Sequence, residues 1–101
     1  MSKGDYMKKS LIQSGKYCYV CGTEDGLHLH HIFYGTANRK LADEDGAYCY
    51  LCGYHHNMSK IGVHFNKTLD LNLKKICQEA WIKANNSSIE GFIKRYGKSY
   101  L

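Results

Sequence analysis

A chain of 101 residues with five cysteines, six histidines and no proline is one small domain, of a size at which apolar burial alone leaves a thin stability margin. The opening MSKGDYMKKSL lacks the continuous apolar run of a signal peptide or membrane span. That points away from a membrane role and towards a reducing cytoplasm, bacterial or phage-infected, where clustered cysteines hold metal more often than they form disulfides. The net charge of +5 is unevenly placed: residues 1–17 set four lysines against Asp5, and residues 67–101 set seven bases against three acids. Between them, Arg39, Lys40 and Lys60 face Glu24, Asp25, Asp43, Glu44 and Asp45. Basic flanks around an acidic middle suit a polyanion lying across the molecule, although Lys-rich solvated helix faces give the same counts.

Three sections follow in chain order within one α+β domain: a basic arm over residues 1–16, a middle over 17–66 and a helical section over 67–101. Asp5 to Gln13 reads as a short helix ended by Gly15. YCYV (17–20), LHLHHIF (27–33) and AYCYL (47–51) read as strands, punctuated by glycines at 22, 26, 35, 46 and 53. A short helix is predicted to start near His55. Leu69, Leu73, Ile76, Cys77, Ala80 and Ala84 recur at helical spacing, with Trp81 and Ile82 widening the face. Ser87 and Glu90 stand in capping-box spacing ahead of Ile89, Phe92, Ile93 and Tyr96, and Gly97 is the stop. Cys77 lies in the apolar stripe and reads as core rather than ligand. Most of the nine tyrosines read as core filling.

The chemistry-bearing residues are crowded into the middle section. CYVC places Cys18 and Cys21 where two thiolates can approach one ion, and CYLCGYHH offers two partners for them, Cys49 with Cys52 or Cys52 with His55. Spacing fits either pairing of a structural zinc, and a redox CxxC would need a βαβ context that is missing. If His55 completes the zinc site, then His30, His31, His56 and His64 remain outside it. An imidazole is polar at both nitrogens and titrates near neutrality, so four of them imply a second site. His28, two residues before His30, reads as a solvated strand residue.

In order, CYVC (18–21), HHI (30–32) and LCGYHH (51–56) resemble the HNH endonucleases, whose ββα-metal finger is often braced by a zinc knuckle. The longer run from HHIFYGTANRKL to LCGYHHNMSKIGVHF is similar to small phage and prophage HNH proteins, some described as recombination-associated. The resemblance spans about Cys18 to Phe65. It implies a structural zinc on Cys18, Cys21, Cys52 and His55, because only that pairing places His56 directly after the last ligand. It further implies His31 as the general base that activates water, and His30 and His56 as holders of a catalytic divalent cation, Mg2+, Mn2+ or another transition metal. His64 stands as a third ligand or a phosphate contact. The family's middle Asn falls at Ala47, so either Asn38 substitutes from the loop or that role is missing. Arg39, Lys40 and Lys60 are the nearby phosphate contacts of a nucleic-acid substrate, double-stranded DNA by expectation. The rival readings are a zinc-stabilised DNA-binding module without catalysis and a phage protein that docks on a protein partner.

Overall fold

The computed structural model describes residues 8–101. Its elements in order are β1 (Leu27–His31), α1 (Thr36–Asp45), β2 (Tyr48–Cys52), α2 (Gly53–His56), α3 (Lys67–Ala84) and α4 (Ile89–Tyr96), a small α+β arrangement. β1 and β2 pair antiparallel, with Leu27 opposite Cys52 and His30 opposite Cys49. Side chains alternate along a strand, so His28 and His30 share one face of β1 while Leu27, Leu29 and His31 share the other.

The outer edge of β2 would present unpaired N–H and C=O groups, and the chain ahead of β1 covers it. Leu11 N donates to the Gly46 carbonyl, Tyr50 N donates to the Gln13 side-chain oxygen, and Tyr19 N donates to the Tyr50 carbonyl. Two sequence expectations fail here. Over residues 8–13 the expected helix is an irregular run, because its backbone and polar side chains pair with β2 instead; residues 5–7 of that helix lie outside the described residues. YCYV is a turn rather than a strand: Cys18 N donates to the Thr23 carbonyl and Gly22 N to the Cys18 carbonyl, which folds the segment back on itself.

Between the strands stands α1, where the sequence suggests a loop around Asn38. TANRKLADED contains good helix formers in Ala37, Arg39, Lys40, Leu41 and Ala42, but Ala42 is its one buried residue, so the apolar periodicity that announces a helix is absent. Gly46 ends it in the left-handed conformation, φ 81, with its N–H on the Ala42 carbonyl. A Cβ there would also collide with the Lys9 carbonyl, so the same glycine lets the N-terminal segment approach β2. The helix after β2, α2, is a single turn that begins at Gly53.

α3 and α4 form where the periodicity puts them. Leu73, Cys77 and Trp81 turn inward, whereas Ile76, assigned to the same stripe, is 43% exposed. The cap of α4 is Ser88, whose hydroxyl accepts from Gly91 N, one residue beyond the expected Ser87. Phe33 packs on Phe92 at a ring-centroid distance of 5.1 Å and on Tyr96 at 4.7 Å. Ile32 and Phe33 are fully buried, so the apolar pair after His31 anchors the end of β1 to α4. Asp45, near the end of α1, accepts from Trp81 Nε1, Arg95 Nε and the Tyr96 hydroxyl, tying α1 to α3 and α4. Among the described residues, no helix is long and apolar enough to cross a membrane.

Candidate metal centres

Two groups of side chains bring metal-ligand atoms within 4.8 Å of one another among the described residues: Cys18, Cys21, Cys52 and His55, and His30, His56 and His64. The first is assembled from the turn at 18–21, the end of β2 and the α2 turn. Tyr19 N on the Tyr50 carbonyl holds that turn against β2. Cys21 Sγ stands 3.8 Å from Cys52 Sγ, and His55 Nδ1 stands 3.8 Å from Cys18 Sγ and 3.3 Å from Cys52 Sγ. Ligand atoms around a tetrahedral zinc lie about 3.5–3.8 Å apart, given Zn–S and Zn–N lengths of about 2.3 and 2.0 Å. The separations fit, and the cluster could hold a structural metal such as zinc. Burial alone would raise the Cys18 thiol, yet backbone hydrogen bonds at Cys52, Cys21 and Val20 lower it to about 6, which favours the thiolate that binds metal. Cys49 points elsewhere: it is fully buried, and burial pushes its thiol up to about 12. Of the two candidates for the fourth position, His55 stands within the cluster and Cys49 does not. Cys77 is likewise a buried core residue with a raised thiol pKa.

The second group is built from β1, α2 and the loop before α3. Val63 N donates to the His55 carbonyl and His64 N to the His56 carbonyl, which folds the loop back so that His64 meets the α2 turn. His56 Nε2 and His64 Nε2 are 3.0 Å apart. Two ring nitrogens on one ion at roughly 2.1 Å stand about 3.0–3.4 Å apart. His30 is 2% exposed, and its Nε2 is buried without a hydrogen-bond partner. Buried polar atoms almost always have a partner, so an orphaned imidazole nitrogen beside two others fits a cation. Burial, with His56 and His64 adding to it, pushes His30 down to about 3, and burial with His64 and His28 pushes His56 down to about 4. Both rings are therefore neutral, with a lone pair to offer, near pH 7.

His28 departs from its expected role. It is half-buried, and its Nδ1 lies 2.9 Å from His56 Nδ1, because residues two apart on β1 face the same way and His30 already faces α2. That spacing was a readable signal.

An open cleft of about 420 Å³ runs past this group, lined by Leu29, His30, His31, Arg39, His56 and His64 among others. His31 Nε2 is 2.7 Å from Asp43 Oδ1; Asp43, not Asn38, is the side chain that meets it. Of the three cations assigned to phosphate, Arg39 lines the cleft, while Lys40 and Lys60 are exposed outside its lining. Tyr34, another lining residue, lies parallel to His64 at 5.9 Å between centroids and donates its hydroxyl to Asp70. Two bases counted in the positive C-terminal section are engaged internally, Lys74 with Asp70 at 2.9 Å and Arg95 with Asp45 at 2.6 Å. No family model, no curated protein and no solved structure matches this chain.

Proposed function

We propose that this chain is a metal-dependent nuclease of the HNH type that hydrolyses phosphodiester bonds in DNA. The observation that carries the reading is the orphaned Nε2 of buried His30 among His56 and His64, beside His31 on one open cleft. A zinc on Cys18, Cys21, Cys52 and His55 would brace it, because Cys52 ends β2 and His55 immediately precedes His56.

A divalent cation on His30, His56 and His64 would supply positive charge to the scissile phosphate and the departing 3′ oxygen. His31 accepts the proton of the attacking water, whose oxygen bonds to phosphorus as the bond from phosphorus to the 3′ oxygen breaks, and that oxygen takes a proton from solvent. Histidine suits a proton acceptor working near neutral pH. Arg39 grips non-bridging phosphate oxygens through its fork of N–H donors. Lys40 and Lys60 meet phosphates farther along the strand. The cleft is open, as a polymer substrate requires.

The test combines metal analysis with a supercoiled-plasmid digest over Mg2+ and Mn2+. About one tightly held zinc per chain is expected, with cleavage that needs added cation and is lost in His31→Ala. A wild type that binds duplex DNA yet cuts with no divalent ion would instead be a zinc-stabilised binding module. One that neither cuts nor binds DNA would favour a protein partner.

A further inference from the structure

We propose that Asp43 is the positioning residue of His31, holding the imidazole proton on Nε2 and leaving Nδ1 as the nitrogen that takes a proton from water; the catalytic half of this inference rests on the nuclease reading. The contact joins two elements, since His31 ends β1 and Asp43 lies in the last turn of α1. At 2.7 Å it has the length of a charge-assisted hydrogen bond. A carboxylate only accepts, so the shared hydrogen belongs to Nε2, and a neutral imidazole then has Nδ1 as its one acceptor. Metal-bound or not, a ring free to choose its tautomer would spend part of its time with the wrong nitrogen protonated.

Asp43 is itself held. Two residues on, Asp45 is bound by Trp81, Arg95 and Tyr96, and the Asp43 carbonyl accepts from Lys8 N. The pair contributes little as a fold-stabilising contact, because the side chains are 22% and 36% exposed and ion pairs so open to water are weak. Its placement is what it offers: His31 lines the same cleft as His30, His56 and His64.

Two measurements on the whole 101-residue chain, prepared with zinc, test this. The first is nitrogen-15 NMR of the histidine rings, assigned with His31→Gln. Wild type should show His31 protonated at Nε2, and Asp43→Ala should convert it to a mixture of tautomers. The second is single-turnover cleavage. Asp43→Asn and Asp43→Ala should slow the cleavage step by roughly 10²- to 10⁴-fold with DNA affinity, zinc content and melting temperature unchanged, and Asp43→Glu should recover part of the loss. If wild type cuts and the Asp43 variants cut equally fast, the assignment is overturned and the nuclease reading stands. If wild type cuts nothing, the nuclease reading fails and takes the catalytic half with it. An unchanged His31 tautomer in Asp43→Ala overturns the pairing in either case.

Discussion

His28 and His56 meet Nδ1 to Nδ1 at 2.9 Å, which leaves His56 Nε2, 3.0 Å from His64 Nε2, as the nitrogen available to a cation. One of the two Nδ1 atoms must carry the hydrogen between them. With a cation on the lone pair of His56 Nε2, that hydrogen would sit on His56 Nδ1 and His28 would accept it. Partners of this kind fix the tautomer and orientation of a ligating ring, and losing one typically lowers metal affinity by about 10- to 100-fold. His28→Ala should therefore weaken Mn2+ binding by that factor, read by titration calorimetry, while the zinc content stays at the wild-type value. Unaltered Mn2+ affinity would mean that His28 merely packs against His56.

The cysteine cluster makes a sharper distinction between two neighbouring cysteines. Cys52→Ala removes a proposed zinc ligand, and in a domain this small metal binding and folding are one equilibrium, so metal content should fall and the thermal transition should broaden or vanish. Cys49→Ala removes a buried thiol with no ligand role. It should lower stability by about 1–2 kcal/mol, as small core truncations do, and leave the zinc stoichiometry unchanged in elemental analysis. Zinc loss in Cys49→Ala with retention in His55→Ala would reverse the ligand assignment.

Much of the candidate site is legible in the sequence because its ligands come in short local sets. Cys18 with Cys21, and Cys52 with His55 and His56, are brought together by single turns, and His28 with His30 by the two-residue period of a strand. α3 and α4 are legible for a similar reason, since Leu73, Cys77, Trp81, Phe92 and Tyr96 repeat at helical spacing and bury as that spacing implies. What stays hidden depends on long-range partners. The polar surface of α1 carries almost no apolar signal, so neither the helix nor the meeting of Asp43 with His31 could be read locally. Residues 8–19 look like helix and strand in isolation, but their donors and acceptors are used on the edge of β2. Arg95 looks like a free cation until Asp45 is placed beside it.

Asp45 should be the most sensitive polar position in the fold. Its side chain is 12% exposed, and its two oxygens accept from Trp81 Nε1, both Arg95 Nε and the second guanidinium nitrogen, and the Tyr96 hydroxyl. Asp45→Ala leaves Trp81 Nε1, Arg95 Nε and the Tyr96 hydroxyl unmatched, with the guanidinium keeping only Glu44 at 3.2 Å, and losing one partner of a mostly buried charge pair costs about 3–5 kcal/mol, discounted to about 2–4 for the partial exposure of Arg95. The midpoint of urea unfolding should fall accordingly. Arg95→Gln should show up in the same unfolding curve and scarcely in DNA affinity. A variant that melts like wild type would remove Asp45 from the role of tying α1 to α4.

DNA affinity should instead respond at Arg39, which lines the cleft. Phosphate contacts release counterions, so binding should weaken steeply with salt, and removing one contact should reduce the slope of log affinity against log salt by about 1. Arg39→Gln is expected to do this uniformly across duplex sequences. Lys40→Gln and Lys60→Gln, outside the cleft lining, should each have a smaller effect at the same salt. Fluorescence anisotropy over a salt series measures all three, and equal slopes for Arg39→Gln and wild type would take that guanidinium off the phosphate.

The histidines of the cleft should separate by their response to added metal. His64 is exposed and His30 buried, so His64→Ala removes one proposed ligand with little disturbance of packing, and its slowed cleavage should be recovered in part by raising Mn2+ until the weakened site fills. His30→Ala removes a ligand and opens space in the interior, so its recovery should be smaller and its melting temperature lower. His31→Ala takes away a proton acceptor and no ligand, so Mn2+ affinity should persist while single-turnover cleavage falls by roughly 10²- to 10⁴-fold, with no recovery at any Mn2+ concentration. The ordering follows from position: His30 and His56 would reach a cation from two elements, β1 and α2, while His31 reaches the cleft from the end of β1 with Asp43 behind it. Rescue of His31→Ala by metal would move His31 into the ligand set and leave the water without its assigned base.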